Sequence, residues 1–89
     1  MSNFDFDEST WKSFAQLFEN KWDVFERKAE LLTLVNNDKN IAMVVSQVSL
    51  QPEKWLLSEV PAVDGKTPRW CLDTNHQTTL KSVLMRFPW

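Results

Sequence analysis

Five tryptophans and six phenylalanines share this 89-residue chain with a single glycine and no tyrosine, and that balance sets what it can build. Trp and Phe bury more area than any other side chains. They let a short chain fill a core that its length would otherwise leave thin. Size scaling gives burial of about 64% of the unfolded chain's surface, enough for one independent domain with a narrow margin. We therefore read residues 1–89 as a single domain, to whose stability a partner or second copy can add. An apolar fraction of 43% against 25% charged residues places the chain with globular proteins and not with disordered ones.

Glycine scarcity also excludes chemistry. Gly65 alone cannot make a phosphate-cradling loop. One cysteine, Cys71, and one histidine, His76, fall short of the four ligands of a structural zinc site. Asp5 and Asp7 lack the glycine and bidentate Glu of a calcium loop. No metal and no cofactor are expected. A lone cysteine forms no intramolecular disulfide and suits a reducing compartment. The acidic N-terminus (Asp5, Asp7, Glu8) is unlike a signal peptide. The longest apolar run, residues 41–45, is far below the roughly 20 residues that span a bilayer. The expectation is a cytoplasmic protein without a membrane segment.

Hydrophobic spacing predicts a helix starting around Ser9 and Thr10, whose hydroxyls can cap its first turn. Trp11, Phe14, Ala15 and Phe18 then form one apolar face. Phe4 and Phe6, alternating with Asn3, Asp5 and Asp7, suit a short strand or a frayed start. Beyond Asn20 two readings stay open. The helix stops there and a strand follows, or it continues as one long helix. In the second reading Trp11, Ala15, Phe18, Trp22, Phe25, Ala29 and Leu32 make a heptad seam.

Residues 36–40 form a polar Asn/Asp turn. The β-branched, alternating stretch 41–50 predicts a central strand covered on both sides and ended by Pro52. Residues 55–60 and 69–72 read as a hairpin around a four-residue loop, 63–66. That register keeps Pro61 and Pro68 out of a hydrogen-bonded pair. It puts Trp55, Leu57, Trp70 and Leu72 on one side, and Cys71 with Ser58 and Arg69 on the other. Asp73, Thr74 and Asn75 are candidate caps for a helix over 76–87, where Leu80, Val83, Leu84 and Phe87 repeat at helical spacing before Pro88. The sum is a small two-layer α+β domain: an N-terminal helix, a three- to four-stranded mainly antiparallel sheet and a C-terminal helix.

For function, the reading is a non-enzymatic protein-binding or regulatory module: an inhibitor, an adaptor or a self-associating subunit. Trp and Arg dominate binding hot spots, which singles out Trp22, Trp70, Arg69 and Arg86. Phe87, Pro88 and Trp89 make an aromatic tail stiffened by proline, which either folds back on its own domain or enters a partner's pocket. The alternative is nucleic-acid binding. Lys66, Arg69, Lys81 and Arg86 give residues 61–89 a balance of +2, and Trp70 and Trp89 offer stacking surfaces. Against it, the whole chain carries −2. A third reading is a thiol enzyme in which Cys71 is activated by His76. Against it, catalytic Cys and His pairs usually converge from distant parts of a sequence.

Overall fold

A computed structural model describes residues 7–63 and 65–87. Among the described residues seven α-helices follow one another: α1 Glu8–Gln16, α2 Glu19–Asp23, α3 Lys28–Leu34, α4 Lys39–Val45, α5 Pro52–Leu56, α6 Pro68–Asp73 and α7 Gln77–Met85, with a 3₁₀ turn at Pro61–Val63 between α5 and α6. There is no strand among the described residues. The α+β architecture expected from the sequence is thereby corrected to an all-helical one. The longest helices have nine residues. The Phe4 and Phe6 alternation and the ends of the Phe87-Pro88-Trp89 tail and the 63–66 loop (Pro88, Trp89 and Asp64) lie outside the described residues.

Capping explains where these helices begin. Asp7, with extended backbone, accepts from the Ser9 N–H at 3.1 Å and the Thr10 hydroxyl at 2.9 Å, so an acid and not a hydroxyl starts α1. Asp38 likewise accepts from the Ile41 N–H at 3.2 Å and starts α4. Thr67 accepts from the Trp70 N–H at 3.0 Å, and Pro68 occupies the first turn of α6, where its missing N–H costs nothing. Pro52 takes the equivalent place in α5.

The helix ends are equally specific. Neither of the two readings beyond Asn20 holds. α1 stops at Gln16 and α2 at Asp23, and Phe18, Val24 and Arg27 carry ψ values of 4°, 2° and 41° that bend the path. The heptad residues consequently do not share a seam. Trp11, Ala15 and Trp22 are buried, Phe18, Phe25 and Leu32 pack at the core's edge, and Ala29 is exposed.

Asn36 and Asn37 (φ 57° and 61°) terminate α3, with the Asn37 N–H donating to the Leu32 carbonyl at 2.7 Å. Asn75 (φ 61°) does the same for α6, with the His76 N–H donating to the Cys71 carbonyl at 2.8 Å. Both are left-handed caps, a conformation that Asn tolerates better than most residues. Asp73, Thr74 and Asn75 thus end α6 and do not cap α7.

The expected central strand is α4. Every residue from 41 to 46 is buried, and the helix packs on α1, α2, α3 and α7. The expected hairpin is replaced by α5, a closed loop and α6. The Val60 N–H donates to the Lys66 carbonyl at 2.9 Å, and the Gly65 N–H donates to the Val60 carbonyl at 3.1 Å. Gly65 sits at φ +73°, where a side chain would be strained. Val63 from this loop reaches the core.

Polar ties join helices distant in sequence. Arg69 donates to the Leu34 carbonyl and pairs with Asp73, linking α6 to the end of α3. Lys81, its side chain 11% exposed, lies 3.4 Å from the Glu8 carboxylate and 5.9 Å from the Trp11 ring, linking α7 to α1.

Candidate docking groove

The connection from α4 to α5 builds the most distinctive surface. After Val45 the chain makes two further turn bonds, Gln47 N–H to Val44 and Val48 N–H to Val45. It then has to reach Pro52, which cannot continue a ladder from the preceding side. Two contacts pin the residue between. Arg27 Nη2 donates to the Leu50 carbonyl at 3.3 Å, and the Gln51 N–H donates to Ser49 Oγ at 3.0 Å. With its backbone held on both sides, Leu50 projects a side chain that is 95% exposed.

Beside it opens a cleft of about 330 Å³ lined by Ser49, Leu50, Gln51, Lys54, Trp55 and Ser58. Trp55 is half-buried, and the Phe87 ring meets it edge-on at 6.3 Å, an arrangement that aromatic quadrupoles favour. Ser58 Oγ donates to the Lys54 carbonyl at 2.8 Å and closes the end of α5. At the rim, Arg27 Nε donates to Glu53 Oε2 at 2.7 Å.

Burial pushes the Glu53 carboxyl upward. The Arg27 hydrogen bond, its own backbone N–H and the attraction of the guanidinium outweigh that and hold it below the usual carboxylate range. A depressed folded-state value means the pair stabilises above the ordinary carboxylate pKa and fades as pH falls through the folded value. Glu53→Gln is therefore expected to lower the melting temperature at neutral pH, with the gap to wild type closing below about pH 4. A gap independent of pH would show that the charge pair is not its origin.

The residues singled out from sequence are dispersed. Trp22 is 3% exposed and stacks on Phe25 at 5.7 Å, so its role is in the core. Arg69 is engaged with Leu34 and Asp73. Arg86 is exposed at the end of α7, with Nε donating to the Ser82 carbonyl at 3.3 Å. Phe87 supports the groove through Trp55. Trp70 is 37% exposed on α6, stacked with the His76 ring at 4.7 Å and with Lys66 Nζ 5.5 Å from its centroid. Trp89 is beyond the described residues.

Leu50 and Lys54 were missed because the strand and hairpin readings absorbed this stretch. The signal was an apolar residue two positions before Pro52, in a connector that has no buried face to offer it.

Cys71 and His76 are close in sequence but face different surroundings. The thiol is fully buried, and that burial raises its pKa despite an opposing backbone hydrogen bond. The His76 ring lies outside against Trp70. Because the Thr74 hydroxyl already donates to the Trp70 carbonyl at 2.7 Å, the 2.8 Å contact with His76 Nδ1 is one in which Nδ1–H donates. The ring is thus oriented by Thr74, with no hydrogen bond from the thiol to it among the described residues.

Among the described residues no cluster of three or more His, Cys, Asp or Glu side chains could hold a metal ion. No described helix is long and apolar enough to cross a membrane. No protein-family model, curated protein or solved structure matches the chain.

Proposed function

We propose that this protein is a non-enzymatic docking module that receives a segment of a protein partner, or of a second copy, in the groove between Leu50 and Trp55. The supporting observation is Leu50, a large apolar side chain 95% exposed on a backbone fixed by Arg27 and Ser49. Covering such a residue contributes about 1.5–3 kcal/mol. A backbone already held in place adds little further ordering cost on binding. The cleft, about 330 Å³ in volume, has room for a few side chains of a peptide segment. The free thiol of Cys71, with no disulfide partner in the chain, supports placing the module in the cytoplasm.

A photo-crosslinking side chain introduced at position 50 tests this directly, with one at Thr33, exposed on α3, as the control. In extract from the native cell, position 50 is expected to give a discrete protein adduct, or a species of twice the chain's mass if the partner is a second copy. Position 33 should give neither. Indistinguishable adducts from the two positions would overturn the reading. Leu50→Asp is expected to abolish capture of the same partner while leaving the melting temperature nearly unchanged, since exposed substitutions usually alter stability by less than about 0.5 kcal/mol.

A further inference from the structure

We draw no further inference here: the strongest candidate, the surface cluster of Lys66, Trp70 and His76 where α6 meets the N-terminus of α7, carries none, because its rings and ammonium engage one another and no second feature among the described residues points to a ligand there.

Discussion

Replacing Trp11 by alanine is expected to cost about 3–5 kcal/mol, the range for truncating a fully buried tryptophan. A chain of 89 residues has roughly 4–13 kcal/mol to lose, so this one change removes a large share of its stability. The indole is 0% exposed, 6.1 Å from the Phe14 ring and covered by the Lys81 ammonium. Its loss would therefore open a cavity where α1 meets its neighbours and remove the ring that the Lys81 ammonium lies over.

Trp11→Phe separates the two contributions of the ring. The indole N–H is buried with no hydrogen-bond partner among the described residues, and leaving such a group unsatisfied costs about 1–3 kcal/mol. Phenylalanine removes that penalty and keeps much of the volume. It should lose less than half of what alanine loses. Urea titrations with an unchanged slope would measure both. Equal losses for the two variants would mean that a phenyl ring at this position restores none of the lost packing.

The second large effect concerns Cys71. Its thiol is fully buried and its pKa is raised by that burial, so a thiol reagent in native buffer must wait for the structure to open. Labelling is expected to be at least about a thousandfold slower than in denaturant, which corresponds to an opening free energy of about 4 kcal/mol. The sign with pH follows from the same burial. The nucleophilic thiolate is disfavoured in the folded state, so the native reaction remains slow even near the ordinary thiol pKa. Rapid native labelling would show an accessible thiol and revive the thiol-enzyme reading built on Cys71 and His76.

Legibility in the sequence tracked how clearly the residue types mark the helical period. α1 has an apolar stripe and a polar face, and α7, though buried throughout 80–84, keeps polar Lys81 and Ser82 between its apolar residues, so the spacings of Trp11, Phe14 and Ala15, and of Leu80, Val83 and Leu84, point to helix. α4 is surrounded. With Ile41, Ala42, Met43, Val44 and Val45 all buried, no polar face marks the helical period. Its β-branched residues then read as strand, because intrinsic propensity is weaker than tertiary context.

The hairpin error had a different cause. In the sequence Pro61 and Pro68 fix the register of a hairpin, but a threonine followed by proline is also a helix start. Thr67 and Pro68 serve in that way. The asparagines carry a second message, legible at the 36–40 turn but not at Asn75. Asn36, Asn37 and Asn75 supply the left-handed turns that a chain with one glycine must find elsewhere. The groove was hidden for the same reason as α4: once residues 41–50 are read as a strand, Leu50 acquires a face to be buried on, and its exposure disappears from view.

The brevity of the helices bears on how the chain survives damage. Isolated helices shorter than about 12–15 residues are marginal in water, and none among the described residues exceeds nine. Each is held by packing against the others, α1, α2, α3 and α7 against α4, α5 against α3 and α6, and α6 against α7, so no single helix is expected to persist alone. A single proteolytic cut at Asn36–Asn37 would leave α1–α3 and α4–α7 joined only by the packing across it, of α4 on α1, α2 and α3 and of α5 on α3. Such a cut is expected to make the fold depend on the two pieces staying together, so that one lost fragment leaves the other without its core.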